Sequence, residues 1–212
     1  YQRIGAGAGW AITDVLSAGA ELEQTRWKRK GLRSVDGLRW GAGGRWDILP
    51  QVRLDGRIGR MDYDADALND YWGGFLRIRV PQPIGVGELQ LDATREEVGT
   101  VEAIQRAIEQ WTYAIRSSTR LGDAADLALQ GSYADRDDLN DTRNVDGRLL
   151  WQVRGTPYLG VGLYGQIADS WKNAADYYAP MELHQYQFAG EWRNTQGPLT
   201  YRASAQAGYA RA

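Results

Sequence analysis

Apolar and polar side chains alternate residue by residue along most of this chain, in blocks of about ten residues. In the block 51–59, Val52 and Ile58 share one parity, whereas Arg53 and Arg57 take the other. A strand points successive side chains to opposite faces, so such a block predicts a strand with one apolar face and one charged face. The recurrence of the pattern therefore predicts an all-β fold.

The charged face of these strands has to meet water. Unpaired buried charges cost several kcal/mol each, so a row of them excludes the core of a soluble sandwich. A one-sided sheet in a soluble protein would show the same alternation. The aromatic composition favours a membrane instead, because nine Trp and twelve Tyr against two Phe are typical of amphipathic rings at headgroup depth. We therefore expect a transmembrane antiparallel up-and-down β-barrel.

About twelve strand segments can be delimited, and their connections alternate between short turns and longer loops. The clearest segments are 3–12, 15–27, 38–48, 52–62, 72–80, 85–95, 124–134, 145–154, 158–168, 183–193 and 199–210. A near-helical spacing is found at Val98, Val101, Ile104, Ile108 and Trp111. A short loop helix is therefore expected before one more strand, which begins near Gln110.

The alternation of turn lengths also predicts an orientation. Short turns are periplasmic in bacterial barrels, so the first strand is expected to run inward from the cell surface and the last strand outward. Single-chain barrels have even strand numbers and both termini in the periplasm, so at least one strand is expected to be missing on each side, for a total of about fourteen or more. We interpret 1–212 as a single barrel domain that is a fragment of a larger protein. The ending Tyr209-Ala210-Arg211-Ala212 agrees, since it lacks a closing aromatic residue.

A barrel of this size is expected to enclose a pore, because about eight strands leave an interior filled by side chains, whereas about sixteen leave an aqueous channel. Strand parity then predicts the residues that point into the lumen. The polar members are Glu21, Glu23, Arg39, Arg45, Asp47, Arg53, Asp55, Arg57, Arg77, Arg79, Glu88, Gln90, Asp92, Gln110, Thr112, Arg116, Asp126, Gln130, Asp146, Arg148, Gln152, Arg154, Gln185, Gln187, Glu191, Arg193, Arg202 and Gln206. Four aromatic residues share this parity and offer rings on which sugars stack: Tyr71, Phe75, Tyr158 and Tyr164.

The predicted lining mixes both signs of charge with amides. Such a wall suits a hydroxyl-rich polymer that exchanges hydrogen bonds with planar polar groups, and it does not select one sign of ion as a ring of like charges would. A general or solute-specific uptake porin also has a mixed polar lumen. A surface receptor or adhesin barrel, whose long loops carry the activity, is the third class that stays open.

Three short tracts occur in the central and later parts of the chain: Arg95-Glu96-Glu97-Val98-Gly99-Thr100, Asn144-Val145-Asp146-Gly147-Arg148 and Tyr177-Tyr178-Ala179-Pro180. With them the chain resembles the C-terminal barrel of bacterial exopolysaccharide exporters, the outer-membrane proteins for cellulose, poly-N-acetylglucosamine and related polymers. The resemblance implies a barrel of about sixteen strands, a periplasmic tetratricopeptide domain before it, and a polymer supplied by an inner-membrane synthase complex.

The same resemblance assigns roles to particular residues. It implies that Tyr177, Tyr178 and Pro180 lie in an extracellular loop at the pore mouth. It also implies that Asp146 and Arg148 lie on the lumen wall, in agreement with their parity.

Other kinds of chemistry find little support in the composition. The chain has no Cys and a net charge of −2, which argues against a disulfide scaffold, a thiolate metal site and a nucleic-acid surface. No stretch approaches the roughly 18 apolar residues of a membrane helix. His184, the single histidine, has the parity of Tyr186 and Phe188 and is expected to face lipid without a partner serine. We expect no enzyme activity, no cofactor and no metal, and a location in the bacterial outer membrane.

Overall fold

Neighbours in sequence are neighbours in the sheet throughout this structure. The computed structural model describes residues 2–27, 34–64, 70–83, 85–98, 100–155, 157–171 and 181–211. Its elements are β1 (Gln2–Ala11), β2 (Leu16–Trp27), β3 (Val35–Leu49), β4 (Val52–Tyr63), β5 (Tyr71–Pro81), β6 (Val86–Glu97), α1 (Val101–Gln105), β7 (Glu109–Leu121), β8 (Ala125–Arg136), β9 (Thr142–Arg154), β10 (Tyr158–Ser170), β11 (Glu182–Gln196) and β12 (Leu199–Arg211). The strands form one antiparallel sheet in the order β1 to β12, which confirms the predicted all-β, up-and-down arrangement.

The two ends of the sheet differ in their connections. The connections at one edge, called the short-turn end, are 12–15, 50–51, 82–85, 122–124, 155–157 and 197–198. The connections at the other edge, called the long-loop end, are 28–34, 64–70, 98–108, 137–141 and 171–181. This alternation is the one that the sequence predicts, and it is typical of up-and-down membrane barrels.

One face of the sheet is apolar, because directly paired residues of an antiparallel sheet share a face. A single cross-strand row joins six strands through Leu16, Trp46, Leu54, Ile78, Leu91 and Ile115. Most of these side chains are exposed although they are large and apolar. We call this the apolar face and the opposite one the polar face.

Aromatic side chains form two groups on the apolar face. Trp40 and Trp72 meet edge to face towards the long-loop end, with ring centroids 5.6 Å apart. Trp10 and Trp46 lie near the short-turn end. On β3, Trp40 and Trp46 are separated by roughly 20 Å of extended chain. The two groups therefore bracket an apolar band, as the predicted aromatic girdles require.

Several strands extend further than their alternation predicts. The predicted loop 135–144 shrinks to 137–141, because β8 and β9 continue beyond the apolar band, where polar side chains lie on both faces and alternation no longer marks a strand. The predicted turn 194–198 shrinks to 197–198, where Gly197 takes a φ of 58° that favours glycine.

The predicted loop helix is confirmed as α1, in the connection between β6 and β7. The Thr100 hydroxyl oxygen caps its first turn by accepting a hydrogen bond from the Ala103 backbone N–H at 3.2 Å. The helix gives way at Arg106, after which Ala107 adopts a left-handed φ of 54°. Among the described residues, none of the helical structure is long and apolar enough to cross a membrane.

The sheet is open within the described residues. β1 pairs only with β2 and β12 only with β11. Every residue of β1 and β12 is exposed. The predicted closure by further strands stays a prediction.

Candidate functional site

The polar face brings together the side chains that the parity of the sequence predicts to share one side. One cross-strand row runs through nine strands from β3 to β11: Asp47, Arg53, Arg79, Gln90, Arg116, Gln130, Asp146, Gln166 and Gln185. The other predicted lining residues lie on this face as well, with Arg154 as the exception. That this face lines a pore stays a prediction.

Arg154 is displaced by an irregularity between β9 and β10. The register shifts between Leu159 and Gly160, so that Arg154 pairs with Leu159 while Gln152 pairs with Gly160. Leu159 in turn pairs with Trp192 on the apolar face. The predicted inward position of Arg154 is therefore wrong, because a β-bulge changes the parity that a uniform strand would keep.

Asp92 is the centre of a charged network on β5 to β8. Its carboxylate accepts hydrogen bonds from Arg77 Nε at 2.5 Å, from Gln90 Nε2 at 2.7 Å and from Arg116. Arg116 Nε also donates to Gln130 Oε1 at 2.9 Å. Asp92 is only 8% exposed, so its charge depends on these partners.

A second charged group lies on β2 to β6. Arg57 Nη1 lies 2.7 Å from Glu21 Oε1. Arg79 Nε lies 3.8 Å from a carboxylate oxygen of Asp55 and of Glu88, which is too far for a hydrogen bond. The contacts of Arg79 in this group are therefore looser than the contact between Arg57 and Glu21.

Amides and tyrosines dominate the polar face of β9 to β12. Gln166 Nε2 donates to Asn144 Oδ1 at 2.8 Å, and the Tyr164 hydroxyl donates to Gln166 Oε1 at 3.1 Å. The guanidinium carbon of Arg193 lies 5.1 Å from the centre of the Tyr158 ring. Tyr158 and Tyr164 thus lie where their parity predicts. Gln166 was missed by the sequence analysis, although its parity with Tyr164 carries the signal.

An apolar cluster interrupts the polar face at the long-loop end. Its strand members Trp27, Val35, Met61 and Tyr71 are buried, although they share the parity of the charged residues. Val101 and Ile104 of α1 belong to the same cluster. We call Val98 together with 100–108 the inward segment, because it folds onto the polar face instead of away from the sheet.

The backbone explains how the inward segment leaves the sheet. The β5–β6 ladder ends at the pair Gly74 and Arg95, whereas the β6–β7 ladder continues to the pair Glu97 and Glu109. The Val98 N–H then donates to the Ile108 carbonyl at 3.1 Å and closes the base of the segment. β6 has thus separated from β5 before the segment begins.

Tyr71 lies on the predicted face but is not free to stack on a sugar. It is 6% exposed, because the inward segment covers it. Beside it is a cavity of about 340 Å³ that Arg3, Glu23, Arg39 and Glu97 also line. Sequence analysis missed this arrangement; the available signal was the apolar character of Trp27, Val35 and Met61 at polar parity.

The predicted residues that remain are those at the pore mouth and the single histidine. Tyr177, Tyr178 and Pro180 lie outside the described residues. His184 lies on the side of Tyr186 and Phe188, and its Nε2 is 2.9 Å from Glu182 Oε1. In the part of the chain that the structure describes, no group of three or more His, Cys, Asp or Glu side chains is placed to hold a metal ion.

Comparison with known proteins gives one informative result. No family model matches the chain, and no curated protein is significantly similar to it in sequence. Among solved structures, a bacterial polysaccharide outer membrane secretin superimposes with a TM-score of 0.74 at 12% identity, over 98% of this chain and 71% of that one. The chain therefore has the fold of an antiparallel membrane β-barrel, as its sequence predicts. At this level of identity, the likeness establishes the fold alone.

Proposed function

We propose that this chain forms part of the wall of an outer-membrane pore through which a secreted polysaccharide leaves the cell. The observation that carries the proposal is the sheet itself, with its exposed apolar face on one side and a continuous row of charged and amide side chains on the other. The likeness in fold to a polysaccharide outer membrane secretin also supports this proposal.

The apolar face is the surface that contacts lipid in this proposal. Its large side chains would be an aggregation hazard in water but are expected at a lipid boundary. The aromatic groups around Trp40 and Trp46 then lie at the two interfaces. We therefore propose a location in the bacterial outer membrane, since up-and-down barrels are the strand-built spans of that membrane.

Barrel closure is the second part of the proposal. The outer edges of β1 and β12 pair with further strands to give about sixteen, a number that leaves an aqueous channel. A periplasmic helical-repeat domain and an inner-membrane synthase complex are the partners that the resemblance to exopolysaccharide exporters implies. The chain itself performs no chemistry and acts as a passive conduit.

The polymer we propose is neutral or weakly charged, in the class of cellulose or poly-N-acetylglucosamine. Arg77 and Arg116 share the carboxylate of Asp92, and Arg57 pairs with Glu21, so arginines and carboxylates are interspersed on this part of the wall and do not form a ring of one sign. Planar amides such as Gln166 and Gln185 can both donate to and accept from sugar hydroxyls.

The test combines a planar bilayer with living cells. The full-length protein is expected to conduct ions, and its current should be blocked by soluble oligosaccharides of cellulose or of poly-N-acetylglucosamine. Cells in which the gene is deleted should retain the polymer, and expression of the protein should restore it to the medium. Export that is unaffected by the deletion would rule out this function.

A general or solute-specific uptake porin is the second candidate, and the inward segment favours it. Val101 and Ile104 pack on Met61 and Tyr71. A loop folded in this way against a lumen wall would narrow the pore towards the size of a small solute. Faster uptake of small solutes by cells with the protein, with no change in secreted polymer, would select the porin.

A further inference from the structure

A groove of about 480 Å³ lies across the polar face of β1 to β5, nearer to the short-turn end than the inward segment. Gly7, Gly19 and Gly43 form its floor. A Cβ at Gly19 would come 2.9 Å from the Ala8 carbonyl oxygen, and one at Gly43 would come 2.7 Å from the Gly56 carbonyl oxygen. A side chain at Gly19 or Gly43 would collide with the neighbouring backbone, so the floor is open there.

Phe75 forms one wall of this groove and is half-buried among charges. The guanidinium carbons of Arg57 and Arg77 lie 5.6 Å and 5.4 Å from the centre of its ring. Each arginine is held in turn by a carboxylate, Arg57 by Glu21 and Arg77 by Asp92. The ring is thus the apolar contact of an otherwise charged groove, and its neighbours fix its position.

Polar atoms around the groove are left without hydrogen bonds by the described residues. They include Asp55 Oδ2 and Arg57 Nε, both of which are buried. Glu21 Oε1 is a further such atom. It lies 2.7 Å from Arg57 Nη1, but the two groups are not aligned for a hydrogen bond. Their side chains line the groove, so a small shift of each side chain would let a ligand that supplies both donors and acceptors satisfy these atoms.

A hydroxyl group meets this requirement because it donates and accepts at once. The Asp55 carboxylate and the Arg57 guanidinium both line the groove. A hydroxyl between these two side chains can accept from the guanidinium and donate to the carboxylate. A sugar ring combines several such groups with a C–H face that packs against an aromatic ring.

We propose that this groove is a binding subsite for one or two units of a neutral saccharide chain. Phe75 contacts the C–H face of the sugar, Asp55 and Arg57 exchange hydrogen bonds with its hydroxyls, and the glycine floor lets the chain lie close to the wall. The subsite deepens the proposed function, and it rests on that function for the source of the saccharide.

The chain offers a matched pair of variants, because its two phenylalanines lie on opposite faces. Phe75 is in the groove, whereas Phe188 is 74% exposed on the apolar face. Cellohexaose is titrated into the full-length protein in detergent, and binding is measured by calorimetry. Phe75→Leu is expected to weaken binding by about tenfold, whereas Phe75→Trp and Phe188→Leu are expected to bind like the unmodified protein.

Each outcome bears on the subsite separately from the pore. Loss of affinity in Phe75→Leu with an unchanged far-ultraviolet circular dichroism spectrum supports it. Equal affinity of Phe75→Leu and Phe188→Leu, or no saturable binding of cellohexaose by the unmodified protein, overturns it. If cells export the polymer but the protein does not bind cellohexaose, the subsite is excluded and the proposed function stands. If the protein binds cellohexaose but cells without it still export the polymer, the proposed function is excluded and the subsite stands.

Discussion

The two halves of the polar face are built from different kinds of polar side chain. From β2 to β7, arginines face carboxylates, as in the group formed by Arg77, Arg116 and Asp92. From β8 to β12, amides and tyrosines dominate, as in the contact between Gln166 and Asn144. The charged half also carries the inward segment. The comparison indicates that one polar face can be rich in ion pairs in one half and rich in amides in the other.

The physical difference lies in what each group requires. A buried carboxylate such as Asp92 needs its cations, so the charged half is stabilised by specific pairs. A neutral amide such as Gln166 is satisfied by one or two hydrogen bonds and leaves others for water or a ligand. We therefore expect mutations in the charged half to have larger effects.

The largest expected effect is on the inward segment. Val101→Asp combined with Ile104→Asp places two carboxylates against Trp27 and Met61, which costs enough free energy to release the segment from the wall. The single-channel conductance of the full-length protein should then rise by roughly a factor of two or more. Leu139→Asp is the control, since Leu139 is 82% exposed in another connection of the same end. An unchanged conductance would mean that the segment does not narrow the pore.

An intermediate effect is expected at the centre of the charged network. Asp92→Asn leaves Arg77 and Arg116 without a shared counter-ion, and we expect the free energy of unfolding to fall by about 2 kcal/mol, because both arginines still reach water. Asp146→Asn in the amide half should change it by about 0.5 kcal/mol or less. Urea unfolding in detergent measures both. Equal losses in the two variants would contradict the distinction between the halves.

The smallest effect is expected from an ion pair in the amide half. Arg148 Nη2 lies 3.0 Å from Glu191 Oε2, but the arginine side chain is 46% exposed. Arg148→Ala should therefore lower the free energy of unfolding by about 0.5 kcal/mol or less in the same urea measurement. A loss as large as that of Asp92→Asn would show that the amide half also depends on charge pairs.

Much of the fold could be predicted because strand parity is a local property. The alternation around Arg53 and Arg57 needs only the two-residue period of a strand, so the polar lining followed directly from the sequence. The bounds of the strands near residue 136 could not be predicted, since the chain is polar on both faces there. The face of Arg154 was predicted wrongly for a related reason. A bulge opposite Leu159 shifts the parity of the strand, and nothing in the sequence marks this bulge.

The sequence by itself determined the twelve strands, their two faces and the short helix before β7. Only the tertiary structure decided that α1 folds onto the polar face, that Tyr71 is covered by it, and that Asp92 is shared by Arg77 and Arg116. The reason is physical. The face of a side chain depends on its own strand, whereas its partners depend on the register of strands and on loops that return from distant parts of the chain.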